Sequence, residues 1–269
     1  MPAPKMPPDF YFVLVLIIKM AITACFVLAA TIMAERAGPL VAGLFTALPI
    51  SAGPVYVFLA LDHDVHFLAQ SAVASLTMNA VNAVFASVYC ILAQRRSLAV
   101  SLGGSFAAWI ALVLAVKGND GSLEFALAMN AAAIGVGLFL VRPFRHTPMP
   151  ALRPRWYEYG LRALLVAVLV GVVVTFSFRI GPYGSGLLAV FPVVMTSIIL
   201  ILHRRAGGKP TAAVLANAVL GLIGFGLCTI VFHFAVEPFG AAVGLSLALA
   251  MSLTWGMAVL FARKQGLAV

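Results

Sequence analysis

The sequence predicts an all-α, polytopic transmembrane helix bundle of about nine spans, arranged as two inverted-topology repeats with broken helices. Three observations carry that reading. The 269 residues are 63% hydrophobic and only 9% charged, with a mean hydropathy of +1.10, whereas an ordinary soluble domain has roughly 25% charged residues. Apolar runs of the roughly 20 residues needed to cross about 30 Å of hydrocarbon follow one another almost without interruption, which leaves no stretch for a separate soluble domain. Finally, Arg36, Gly38, Pro39, Gly43, Leu44 and Pro49 recur 143 residues later as Arg179, Gly181, Pro182, Gly186, Leu187 and Pro192, with every spacing kept. An arginine and two prolines in fixed register mark a duplicated unit.

The first span is expected over 10 to 33. Its apolar run is interrupted by Lys19 and continues past Cys25 to Ala34. The small residues before Cys25 are therefore expected to belong to a first transmembrane helix, which is favoured over a lipoprotein cleavage site. The second span, 39 to 60, opens on the Gly38–Pro39 turn and carries Pro49 and Pro54 around Ser51 and Gly53. Proline removes a backbone donor and clashes with the preceding turn, so this helix should break near its middle. The acidic turn of Asp62 and Asp64 leads to the third span, 67 to 93, where Asn79 and Asn82 stand three apart on one face. Arg95 and Arg96 close it. The fourth span, 98 to 117, carries Trp109, and the fifth, 122 to 141, carries Asn130.

A linker over 142 to 159 joins the halves, with four prolines, four arginines and the aromatic cluster Trp156, Tyr157 and Tyr159. Aromatic side chains beside a span belong at the headgroup level, so the linker is expected along the cytoplasmic interface. Its arginines read either as an orientation signal or as a site for anionic lipid. The sixth span, 160 to 178, ends at Arg179 and the second Gly-Pro turn. The seventh, 182 to 202, is broken by Pro192, with Thr196 and Ser197 just beyond. The eighth, 211 to 235, carries Asn217, and the ninth, 238 to 261, carries Trp255 and the close-packing pair Gly240 and Gly244. The domains are thus repeat 1 over 1–141, the linker over 142–159, and repeat 2 over 160–269.

With nine crossings, one set of alternate loops holds thirteen of the seventeen basic residues, from Arg36 to Lys264. Positive charge collects on the cytoplasmic side, so the N-terminus is placed outside and the C-terminus inside a bacterial cytoplasmic membrane. On this assignment Arg36 faces the cytoplasm and Arg179 the exterior. An odd number of crossings before the second copy produces that inversion.

Two broken helices of opposite direction bring half-helix ends to the midplane, where dipoles and freed carbonyls bind solutes in inverted-repeat transporters. The substrate-binding candidates are Lys19, Pro49, Ser51, Gly53, Asn79, Asn82, Pro192, Thr196 and Ser197. Arg36 and Arg179 are candidates for guarding the two mouths or for capping the preceding helices. Lys19 stands about nine residues inside its span, where a charge is expensive; it either lines a polar cavity or marks the outer end of a later-starting helix. Each asparagine needs a partner in hydrocarbon, so interhelical packing competes with solute contact as its role.

Other chemistry lacks residues. No carboxylate pair, His and acid cluster or Walker loop lies in the spans, so no enzyme activity, metal or cofactor is expected. Asp62, His63, Asp64 and His66 crowd an outer loop and read as a solvated turn. Cys25, Cys90 and Cys228 are isolated and read as small buried hydrophobes. The net charge of +9 sits in short loops beside spans and does not point to nucleic acid. The expected partners are membrane lipid and a small solute.

The stretch Glu35, Arg36, Ala37, Gly38, Pro39 through Pro49, Ser51, Gly53 and Pro54 resembles the GlpM-like small bacterial inner-membrane proteins, which have an Arg-x-Gly-Pro turn followed by a Gly- and Leu-rich helix with a central proline. The resemblance covers the first two or three helices of each half and implies an inner-membrane location. A two-copy chain is compatible with fusion of an ancestral dual-topology subunit. The functional expectation is a permease or channel for a small anionic or neutral solute. The rival is an assembly or envelope-support protein that binds lipid or a partner and moves nothing.

Overall fold

The computed structural model describes residues 8–36, 52–116, 122–148 and 155–265. Its helices are α1 (Pro8–Arg36), α2 (Ala52–Asp62), α3 (Val65–Leu92), α4 (Leu98–Val116), α5 (Leu123–Val141), α6 (Trp156–Ala189), α7 (Val193–Ala206) and α8 (Gly208–Lys264). A single 3-10 turn, Arg142–Phe144, follows α5. Among the described residues, six helical segments are long and apolar enough to cross a membrane, and the bundle is that of a multi-pass membrane protein.

Local chemistry sets the helix ends. Asp64 caps α3 by accepting the Phe67 N–H at 2.8 Å, and Ser122 caps α5 through Phe125 N–H at 3.2 Å. The two long elements are interrupted by glycine: Gly181 in α6 has φ 68° and ψ −175°, and Gly240 in α8 has φ 81° and ψ 166°. That backbone region is essentially closed to residues with a Cβ, so both glycines are required where they stand. Pro182 then begins the next helical stretch, where its missing N–H costs nothing. The same offset of 143 links other helix starts: Val65 matches Gly208, and Leu98 matches Ala241, the residue after the Gly240 break.

The centre of the bundle is α3. In its membrane-length window 78% of residues are buried, against 11% in α1. It packs on α8, α5, α6 and α4, while α1 packs on α6. The first part of α8 runs antiparallel to α3: Cys90, near the end of α3, faces the Ala212 carbonyl at 3.2 Å, and His233 donates to the Ala69 carbonyl at 2.9 Å. Phe85, Tyr89, Leu68 and Met78 fill the interior. Tyr11, Phe12, Ile17, Ile18, Ile22 and Phe26 stand exposed on α1, a surface suited to lipid rather than water.

Several boundaries differ from the sequence expectation. The first helix runs to Arg36. Helix α6 begins at Trp156, so the aromatic cluster forms its first turn instead of lying in a linker. Gly240, expected inside a close-packed helix face, is a break. The first part of the expected second span, with Pro49 and Ser51, lies outside the described residues.

Candidate functional site

The break between α6 and α7 lies against the central helix. Pro192 has no N–H to continue the ladder, and Val193 N–H turns back to the Phe191 carbonyl at 2.7 Å. A helix that ends here leaves carbonyls without intrahelical partners. Side chains of α3 reach that face at three levels. Ser71 Oγ donates to Pro182 O at 2.9 Å, Ser75 Oγ to Gly186 O at 2.8 Å, and Asn82 Nδ2 to Val190 O at 2.7 Å. Carbonyls four residues apart share one helix face, so the short stretch 182–190 is buttoned along α3. Since the Ser75 proton is used, the Tyr56 hydroxyl from α2 donates to Ser75 Oγ, at 2.7 Å.

Close approach demands glycine here. A Cβ on Gly186 would stand 2.0 Å from the Ser71 carbonyl oxygen, so no larger residue fits without driving α3 and α6 apart. Asn82 is spent at both ends of its amide, because Oδ1 accepts the Trp109 indole N–H at 3.0 Å. Phe191 packs edge-on to Trp109 and beside Phe106. The break is therefore held by an amide, two hydroxyls and an aromatic cluster.

A second polar centre lies one turn away on α3. Asn79 Nδ2 donates to Asn130 Oδ1 on α5 and to the Leu222 carbonyl on α8, both at 2.8 Å. Asn130 Nδ2 in turn donates to the Leu76 and Ala126 carbonyls. Asn79 and Asn82 thus serve different helices, and Asn130 on α5 is the partner of Asn79. Asn217 donates to the Arg145 and Ala213 carbonyls.

Lys19 finds a counter-charge. Its Nζ lies 2.8 and 2.6 Å from the two carboxylate oxygens of Asp62, with both side chains largely buried, and 5.6 Å from the Phe58 ring centre. Asp62, expected in a solvated turn, is instead the anchor for the buried lysine. Beside it, His63 Nε2 meets Ser177 Oγ at 2.8 Å and its ring stacks on Phe67. His63 stands in the short connection between α2 and α3, where burial pushes its imidazole below the usual range against the opposing pull of Asp62 and Asp64. Elsewhere, Arg205 at the end of α7 pairs with Glu158 at the start of α6. Asp62 and Arg205 are 143 residues apart. One ion pair thus joins α1 to the end of α2 and the other joins α6 to the end of α7, with the signs exchanged.

The remaining candidates separate. Pro192 is buried at the break. Thr196 and Ser197 bond back to the Pro192 and Val194 carbonyls at 2.7 Å each. Gly53 lies on α2 with open space where a Cβ would stand. Arg179 is exposed at the end of its helical stretch, and Arg36 ends α1. Pro49 and Ser51 lie outside the described residues. Among the described residues no three His, Cys, Asp or Glu side chains gather as a metal site.

Sequence reasoning missed Tyr56, Ser71 and Ser75, whose hydroxyls are common in membrane helices and carry no pattern. The Lys19 and Asp62 partners stand 43 residues apart on different helices, and no spacing in the sequence links them. No known family, curated protein or solved structure matches the chain.

Proposed function

We propose that the chain is a bacterial inner-membrane permease or channel for a small solute, with its pathway at the interface of two inverted repeats. Nine crossings follow when the two long helical segments are divided at Gly181 and Gly240 and the span 39 to 60 is counted whole. Support for the inversion comes from α3 and the first part of α8, repeat counterparts that run antiparallel. The N-terminus is then external and the C-terminus cytoplasmic. The observation that carries the reading is the buried break at Val190–Pro192, a helix interrupted inside the bundle and clasped by Ser75 and Asn82. Irregular backbone at membrane depth is tolerated where protein or a polar path surrounds it. Because Lys19 is neutralised by Asp62, its attraction for anions falls away, which favours the neutral branch of the solute class.

The test is flux through proteoliposomes against a panel of small neutral and anionic solutes. Wild-type protein moves at least one solute, and Pro192→Ala, which restores a backbone donor and heals the helix, slows it. Folded protein that moves nothing across the panel removes the permease reading. The second reading, an assembly or envelope-support protein that binds lipid or a partner, is favoured by the interhelical bonding of Asn79 and Asn82 and would then stand.

A further inference from the structure

The side-chain carbonyl oxygen of Asn79 has no partner among the described residues, although Asn79 is fully buried midway along α3. Buried polar atoms are overwhelmingly hydrogen-bonded, so an orphaned one points to something else that fills the role. The amide cannot simply be turned over. Its nitrogen is committed to two oxygens, Asn130 Oδ1 and Leu222 O, and reversal would set oxygen against oxygen at both.

The surroundings select the ligand class. Leu222 O, Asn130 Oδ1, Leu76 O and Ala126 O already draw on the two amide nitrogens, so acceptors outnumber donors and an anion is disfavoured. No carboxylate is among the partners of Asn79 or Asn130 to balance a cation, which is expensive at membrane depth. Gly226 borders the same place. A Cβ there would stand 3.3 Å from Asn79 Nδ2 and 3.6 Å from Asn130 Oδ1, so the glycine keeps side-chain volume away.

We infer that Asn79 Oδ1 is the acceptor of a buried site for a small neutral hydrogen-bond donor, an O–H or N–H supplied by water or by a polar solute. The solute branch rests on the permease reading; the site itself does not. Electron microscopy of the full chain in lipid nanodiscs, prepared without added solute and again with urea, tests it. Ordered density about 2.7–3.2 Å from Asn79 Oδ1 is expected. Density in both preparations identifies water, and density with urea alone identifies the solute. Asn79→Leu removes the acceptor and the density with it. An empty position in both wild-type preparations overturns the site. Urea flux into proteoliposomes is measured alongside: an occupied site without flux leaves the site standing, while flux past an empty site keeps the permease and removes this inference.

Discussion

Asn79 donates its side-chain N–H to the backbone carbonyl of Leu222 at 2.8 Å, and the two residues are 143 positions apart, the offset that separates the two copies of the Arg-x-Gly-Pro string. Where a two-fold axis relates two halves, a residue touches its own counterpart only near that axis, so the proposed inverted repeat would have its axis pass close to this contact. Helices α3 and α8 meet here, and the unpaired oxygen of Asn79 lies beside the bond.

The sidedness of the repeat has a direct test. Single cysteines placed at Arg36 and Arg179, in a chain lacking Cys25, Cys90 and Cys228, should react with a membrane-impermeant maleimide from opposite faces. Labelling of both from one face would remove the inverted architecture.

Asn82 joins the Val190 carbonyl to the Trp109 indole. Asn82→Leu strands a buried acceptor and a buried donor, each costing about 1–3 kcal/mol. Thermal unfolding in detergent should show a clear loss. Adding Trp109→Phe, which withdraws the orphaned donor, should recover part of it.

Breaking the Lys19 and Asp62 pair leaves one buried charge without its partner. Lys19→Met or Asp62→Asn alone should destabilise by up to about 3 kcal/mol, and the double variant by less than their sum. The Arg205 and Glu158 pair should behave in the same way. Additive losses in a double-mutant cycle would show that the paired charges do not couple.

Glycine substitutions should divide by location. Gly186→Ala meets the Ser71 carbonyl oxygen and should cost the most, since two backbones must separate. Gly181→Ala and Gly240→Ala force a Cβ into a forbidden region at about 1–3 kcal/mol each. Gly53→Ala has open space and should leave the melting temperature unchanged.

The neutral form of His63 is favoured in the folded chain because burial lowers its proton affinity. An unfolded histidine titrates near pH 6.5, at about its reference value, so the folded state binds fewer protons below that point. The stabilisation is complete above that range and is lost as pH falls through it. Melting temperature should drop between pH 7.5 and pH 5.5, and His63→Phe, which keeps the stack on Phe67, should flatten the slope.

Membrane residence, the helix break at Pro192 and the turn at Gly181–Pro182 were all legible in the sequence, because hydrocarbon thickness, proline's missing donor and glycine's freedom at positive φ act locally. The recurrence of the Arg-x-Gly-Pro string at an offset of 143 is likewise a property of the sequence alone. Only the tertiary structure decided that Lys19 is answered by Asp62, that Asn79 meets Asn130 while Asn82 holds the Val190 carbonyl, and that Ser71 and Ser75 clasp the stretch 182–190. The reason is physical. These helices are apolar on nearly every side, so no amphipathic stripe tells which face turns inward, and the pairing of polar groups is set by the relative depth and rotation of helices far apart in the chain.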